Sequence, residues 1–155
     1  MRFRCTAYPV PAGPVNPSKA GSVLGRHVVG RVADLPPGSR RLIQVGRVQV
    51  GVFNVNGTYY ALNNRCPHAG GPLCLGDVTG TTEDAGAYRV LWVRHGEIVS
   101  CPWHAWEFDI ATGRTITEPT KTVRTYPVSV EGGQVILETD TPPHAGNRSE
   151  QSRGA

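Results

Sequence analysis

Apolar and polar side chains alternate with a period of two in several short stretches of the chain. This pattern is typical of β-strands, and Gly, Pro and Asn at the ends of the stretches predict tight turns. A first strand is predicted from Arg41 to Val45, and a hairpin from Val48 to Leu62. Asn56-Gly57 marks the hairpin turn, because both residues accept positive φ. The second arm of this hairpin leads directly to Cys66.

Two further hairpins are predicted downstream. The first joins 88–93 to 97–100 around Arg94-His95-Gly96 and leads to Cys101. The polar segment from Thr79 to Ala87 precedes it and is interpreted as a surface excursion. The other hairpin joins 123–130 to 134–138 across Glu131-Gly132-Gly133.

A short strand is predicted between these hairpins. Trp106, Phe108 and Ile110 alternate with acidic residues, and the turn at 111–114 ends the pattern. Val28, Val29 and Val32 introduce the folded part. No helical periodicity competes with these assignments, so the sequence predicts an all-β fold.

The length of 155 residues suits a single domain. We expect the folded domain at residues 23–139. Residues 1–22, with four prolines and no apolar periodicity, are predicted to form a flexible arm, and residues 140–155 a disordered tail.

The net charge of +4 does not indicate a nucleic-acid partner. Residues 23–139 hold eleven Lys or Arg and ten Asp or Glu, so the excess lies in the flanks. No basic stripe with interleaved aromatic residues is present. No segment approaches the roughly 18 apolar residues of a membrane span, so we expect no membrane partner. Cysteines at ligand spacing favour a reducing compartment, and the cytoplasm is expected.

The chemistry is concentrated in Cys66-Pro67-His68 and Cys101-Pro102-Trp103-His104. Together they supply two thiols and two imidazoles, which can hold zinc or an iron–sulfur cluster. Structural zinc favours two to four residues between the ligands of each half, and the single residue between Cys66 and His68 makes that reach awkward. A cluster of two irons is wider and tolerates the tight first half. Zinc remains the alternative.

The two motifs resemble the cluster-binding loops of the Rieske [2Fe–2S] domain family. The similarity covers most of residues 25–137 and rests on Cys66, His68, Gly70, Leu73, Cys101, Pro102, Trp103, His104, Phe108 and the later Pro119. It implies an antiparallel β-sandwich with a small cluster-binding subdomain formed by two hairpin loops. It also implies that Cys66 and Cys101 bind one iron, while His68 and His104 bind the other through Nδ1.

The resemblance also bears on the redox potential. High-potential members carry hydroxyl donors to the cluster sulfurs and a disulfide between the loops, whereas this chain has Trp106, Phe108 and Trp103 at the corresponding places. Without those donors we expect a midpoint near the low end of the Rieske range, about −150 mV. Ala105 stands where glycine is usual, which puts a Cβ into a tight loop. The segment from Thr79 to Ala87 is interpreted as an insertion.

The remaining cysteines and histidines have simpler interpretations. Cys74 is expected to be a small buried side chain, although an extra ligand or a disulfide partner is an alternative. Cys5 lies in the predicted arm. His27, His95 and His144 have no companion at ligand spacing.

By this resemblance the protein is expected to transfer one electron at a time and to have no catalytic site of its own. The chain ends before any mononuclear-iron domain of the oxygenase type, so a freestanding ferredoxin is expected, with a reductase and a terminal oxygenase as its partners. One alternative is a small subunit held in a larger enzyme, of the nitrite reductase small-subunit type or an oxygenase component. A redox sensor is another.

Overall fold

The computed structural model describes residues 25–118 and 120–140. The predictions for the arm at 1–22, for the tail from residue 141 onward and for Pro119, Cys5 and His144 fall outside these ranges. Strands dominate, and the helical segments of the described ranges are the 3-10 turns Val32–Asp34 and Leu73–Leu75. The strands are β1 Gly25–Arg31, β2 Arg40–Val45, β3 Val48–Val55, β4 Thr58–Asn63, β5 Val78–Asp84, β6 Val90–Ser100, β7 Glu107–Asp109, β8 Thr125–Tyr126, β9 Val128–Glu131 and β10 Gln134–Thr139.

The strands form three antiparallel sheets, in the orders β1-β10-β9, β2-β3-β4-β8 and β5-β6-β7. The all-β fold predicted from the sequence is confirmed.

The first sheet contains the predicted hairpin at Glu131-Gly132-Gly133. Both glycines have positive φ, 54° and 77°, as this turn requires. The sequence did not reveal β1, which pairs with β10 from Gly25 to Arg31 with a bulge at Val29. In β1 only two adjacent valines are apolar among glycine, arginine and histidine, so no period-two signal is present.

The second sheet is built around the predicted Asn56-Gly57 hairpin. Asn56 and Gly57 have φ of 51° and 94°, and Val55 pairs with Thr58. The predicted strand at 41–45 is β2, which pairs with β3. The predicted continuous strand 123–130 is wrong, because it divides at Pro127. The two residues of β8 pair with β4, whereas β9 pairs with β10.

The third sheet corrects two predictions. The segment Thr79–Ala87 is not a surface excursion, because most of it is β5, which pairs with β6. The predicted turn at 94–96 is instead a bulge inside β6, where Arg94 to Glu97 lie opposite Gly80. Arg94 and Gly96 have positive φ, 58° and 77°, so the residues favour a turn although the strand continues.

Two hydrophobic clusters form the interior. One lies between the first two sheets and contains Val29, Val50, Val52, Val135 and Leu137. The other joins the second sheet to the third and contains Phe53, Leu62, Phe108, Ile110, Cys66 and Cys101. The predicted sandwich and its smaller subdomain are therefore both present. The two cysteines are part of the core of the subdomain.

No helix in the described ranges is long and apolar enough to cross a lipid bilayer.

Candidate metal centre

The first site loop, residues 66–71, follows the end of β4. The Cys66 amide donates to the Gly71 carbonyl at 2.9 Å, and the Gly70 amide donates to the Cys66 carbonyl at 2.8 Å. Gly70 has a φ of 78°, which closes the loop on itself. The loop is therefore fixed by its own backbone.

The second site loop, residues 101–106, follows the end of β6 and repeats the same backbone pattern. The Cys101 amide donates to the Trp106 carbonyl at 2.8 Å, and the Ala105 amide donates to the Cys101 carbonyl at 2.8 Å. Ala105 has a φ of 55°. The two loops are structurally equivalent, and Ala105 takes the place that Gly70 has in the first loop.

The two cysteines lie in the interior. Cys66 and Cys101 are each 2% exposed and belong to the same buried cluster. Burial raises the pKa of the Cys66 thiol, and the Cys101 side chain is near enough to raise it as well. Backbone N–H groups of His68 and Ala69 donate to the Cys66 sulfur and lower the pKa. A positive metal ion would favour the thiolate over this burial penalty.

The two histidines lie outside the cysteines, at the surface. The Nδ1 atoms of His68 and His104 are 3.2 Å apart, and the rings are nearly perpendicular, at 85°. Two imidazole nitrogens bound about 2.0–2.1 Å from one tetrahedral metal would lie about 3.3 Å apart. The observed separation is close to this value, so the two Nδ1 atoms are near enough to one another to share one metal ion.

Trp103 connects the two loops. Its indole packs against Gly71, where an added Cβ would come within 2.8 Å of Cδ2. The side chain is also exposed, at 57%, and meets the His104 ring edge to face. It joins the two loops by packing.

Trp106 lies against the other histidine, His68. Its indole stacks on the His68 ring with the centroids 4.5 Å apart and the planes at 12°. The Lys121 Nζ lies over the same indole, 4.9 Å from a ring centroid. The sequence placed Trp106 in a strand but did not indicate either contact.

Cys74 does not take part in the site. It is fully buried, its Cβ packs closely on Gly51, and its Sγ lies 3.6 Å from the Leu62 carbonyl oxygen. Burial raises its pKa to about 12, so the thiol stays protonated at neutral pH. The expectation of a small buried side chain is confirmed. Cys66, Cys74 and Cys101 are free thiols in the described chain.

Asn64 is a supporting residue that the sequence analysis missed. Its Oδ1 accepts a hydrogen bond from the Cys74 amide at 2.6 Å, and its Nδ2 donates to Gln49 at 2.5 Å. It ties the 3-10 turn after the first loop to β3. An asparagine directly after a strand, two residues before Cys66, was the available signal, because such side chains often satisfy backbone groups.

These donors fit a two-metal centre. The two sulfur donors lie together in the interior, and the two nitrogen donors lie together at the surface. The four donors therefore form two separate groups. Thiolate and imidazole are the ligands that iron–sulfur chemistry uses. Within the described ranges, no group of three or more His, Cys, Asp or Glu side chains is placed to hold a single metal ion.

Comparison with known proteins agrees with this class of site. A family model for the Rieske [2Fe-2S] domain matches residues 25–127. The chain belongs to this family, and its cofactor is the [2Fe–2S] cluster.

Three relatives named as ferredoxins or as a ferredoxin subunit are similar to this chain. The 3-phenylpropionate/cinnamic acid dioxygenase ferredoxin subunit of Escherichia coli (strain K12) is 33% identical over 108 residues, which cover 69% of this chain and 87% of the relative. Among solved structures, the ferredoxin of carbazole 1,9a-dioxygenase from Nocardioides aromaticivorans IC177 is 26% identical with a TM-score of 0.56, covering 77% of this chain and 98% of that one. The Sphingomonas yanoikuyae B1 ferredoxin is 27% identical with a TM-score of 0.55, covering 74% and 99%.

Proposed function

We propose that this protein is a Rieske ferredoxin that carries single electrons from a reductase to a terminal oxygenase. The observation that carries the proposal is the arrangement of the four donors: two buried thiols of one cluster lie in the interior, and two imidazoles at the surface have their Nδ1 atoms 3.2 Å apart. The relatives named as ferredoxins and dioxygenase ferredoxin subunits support the shuttle over a small subunit fixed in a larger enzyme.

In this proposal Cys66 and Cys101 would hold one iron of the cluster, and His68 and His104 would hold the other through Nδ1. When bound, the [2Fe–2S] group supplies a one-electron couple and no bond chemistry. Burial of the cysteines keeps water from the sulfur side of the site. The exposed imidazole edges provide the short path to a partner at the surface.

The partner surface follows from this arrangement. His68, Trp103 and His104 are exposed around the site, so a reductase and an oxygenase would each dock there in turn. Electron-transfer contacts of this kind are small and wet, which allows rapid exchange of partners. The domain bounds of 23–139 and a cytoplasmic location belong to the same proposal, since free thiol ligands suit a reducing compartment.

The electron count tests the proposal directly. Coulometric titration of the purified full chain, with iron and sulfide measured on the same sample, should give two irons, two sulfides and one reversible electron per chain. A chain that holds one zinc, or that takes up no electron reversibly, would contradict it.

The ligand set is tested by substitution. We expect C66S, C101S, H68A and H104A to lose the cluster, each measured as iron and sulfide per chain. C74A is the matched cysteine control, and H95Q at the exposed β6 bulge is the matched histidine control. Both controls should keep the wild-type content. Retention of a full cluster in any of the four ligand variants would show that the assignment of that residue is wrong.

Transfer to an oxygenase is tested by component exchange. The E. coli 3-phenylpropionate/cinnamic acid dioxygenase system, with this protein replacing its ferredoxin subunit, should oxidise substrate faster than the same mixture without ferredoxin. The C66S variant should not raise the rate of substrate oxidation above that of the mixture without ferredoxin.

A further inference from the structure

The residues beyond the second loop place one positive charge close to the site. Lys121 Nζ lies 4.9 Å from a ring centroid of Trp106, and the same indole stacks on His68. The ammonium group is therefore within about 10 Å of a ligand ring, which is about one Debye length at 0.1 M ionic strength. Charges at this range influence one another across a partly buried path.

The position of Lys121 is fixed by its backbone. Its amide donates to the Glu118 carbonyl at 2.9 Å, and its carbonyl accepts from the Thr115 amide at 3.2 Å. The Thr115 hydroxyl closes the turn by donating to the Glu118 carbonyl. These hydrogen bonds hold the Lys121 backbone in place. Its side chain lies on the Trp106 indole rather than extending freely into water.

Trp106 is fixed as firmly on the other side. Its carbonyl accepts the hydrogen bond from the Cys101 amide that closes the second loop. One residue thus connects the backbone of a cysteine ligand, the ring of a histidine ligand and the Lys121 ammonium group. This arrangement suits a residue that holds His68 in one orientation.

We propose that Lys121 and Trp106 set the redox behaviour of the site, Lys121 by its charge and Trp106 by orienting the His68 ring. The inference rests on the proposed histidine ligands. Uptake of one electron from the reductase lowers the net charge of the site by one, with no bond made or broken. A fixed cation nearby stabilises that more negative state, and so raises the midpoint potential.

Glu118 opposes this effect. Its carboxylate lies 3.5 Å from the Lys121 Nζ, so part of the positive charge is compensated. Both side chains are about half exposed, at 50% and 43%, so solvent screens the pair. The contribution of Lys121 is therefore expected to be modest, to grow when Glu118 is neutralised and to shrink at high salt.

The charge is tested by the midpoint potential of the cluster-loaded full chain. We expect K121M to shift the midpoint to a more negative value, K121R to leave it unchanged, and E118Q to shift it to a more positive value. At 1 M salt, where the Debye length is about 3 Å, the shifts should largely vanish. The matched control is R26M, which removes a similarly exposed cation paired with Glu131 in the first sheet and should cause no shift.

The orientation of His68 is tested by the electron paramagnetic resonance spectrum of the reduced protein. W106F keeps an aromatic ring for the stack and should keep the wild-type g values, whereas W106L should change them.

Two results would overturn the inference. One is a K121M midpoint equal to that of R26M, and the other is the same shift in K121R as in K121M, which would indicate packing rather than charge. A wrong ligand assignment would give a different result from a wrong inference about Lys121 and Trp106. If the ligand assignment were wrong, the reduced wild-type protein would lack hyperfine coupling to two histidine nitrogens.

Discussion

Gly70 and Ala105 occupy equivalent positions in the two site loops and adopt the same left-handed backbone, with φ of 78° and 55°. A residue with a Cβ loses roughly 1–2 kcal/mol in this region, whereas glycine does not. The sequence showed the departure, because alanine stands where the family usually has glycine. The structure adds that the loop keeps its geometry and accepts the strain.

Replacing Ala105 with glycine should therefore stabilise the protein. The relief of strain is partly offset by the greater freedom of glycine in the unfolded chain, so we expect A105G to raise the free energy of unfolding by about 0.5–1 kcal/mol. The measurement is the denaturant midpoint for loss of visible absorbance. G70A is the matched control and should destabilise by about 1 kcal/mol. If both substitutions destabilised equally, the equivalence of the loops would be wrong.

The side chains near the site also predict its potential. By the resemblance, Trp106 and Phe108 correspond to the hydroxyl donors of high-potential members, and neither side chain can donate from oxygen. We expect a midpoint near about −150 mV, measured by protein film voltammetry. A midpoint above about +100 mV would exclude the low-potential subclass.

At the scale of elements, the two loops are joined by a close backbone approach. Gly76 ends the 3-10 turn that follows the first loop, and a Cβ there would lie 1.7 Å from the Ser100 carbonyl oxygen, at the end of β6. The Gly76 carbonyl in turn accepts a hydrogen bond from Arg40. The first loop is thus positioned against the strand that leads to the second loop.

Substitution of Gly76 should separate the two loops. We expect G76A to lower the free energy of unfolding by about 3 kcal/mol and to reduce the iron content per chain, because backbone atoms must move to make room. G86A is the control, since its position at the far end of the β5–β6 hairpin has positive φ but open space around it. Full iron content in G76A would show that this contact does not position the site.

Some strands and turns could be predicted from the sequence, and others could not. The Asn56-Gly57 hairpin was predicted correctly, because its turn residues and its alternation agree. Arg94-His95-Gly96 was misread as a turn, since a bulge with positive φ uses the same residue types as a hairpin turn. The pairing of β5 with β6 could not be inferred, because threonines, glycine and acidic residues give β5 no alternation of apolar and polar side chains.

At the scale of the whole molecule, the interior is divided into two hydrophobic clusters, and only one of them contains the two cysteines of the site. The four proposed ligands were found from the sequence because their spacing is local and distinctive. The contact of Lys121 with Trp106 was not, because it joins residues from different elements through the folded backbone.

This separation predicts that loss of the cluster affects one half of the molecule more than the other. Metal–ligand bonds contribute to folding where the ligands are part of a core. Removal of iron should therefore lower the melting temperature by about 10 °C or more. Hydrogen exchange should show lost protection in β6 and β7, while β1 and β10 stay protected. Equal loss of protection in all three sheets would contradict the division.

The most direct test of the central claim is pulsed electron paramagnetic resonance of the reduced protein labelled with ¹⁵N-histidine. The account predicts strong hyperfine coupling to two histidine nitrogens, one from His68 and one from His104, in a protein that contains two irons and two sulfides. A reduced cluster without coupled histidine nitrogens, or a colourless protein with one zinc, would contradict it.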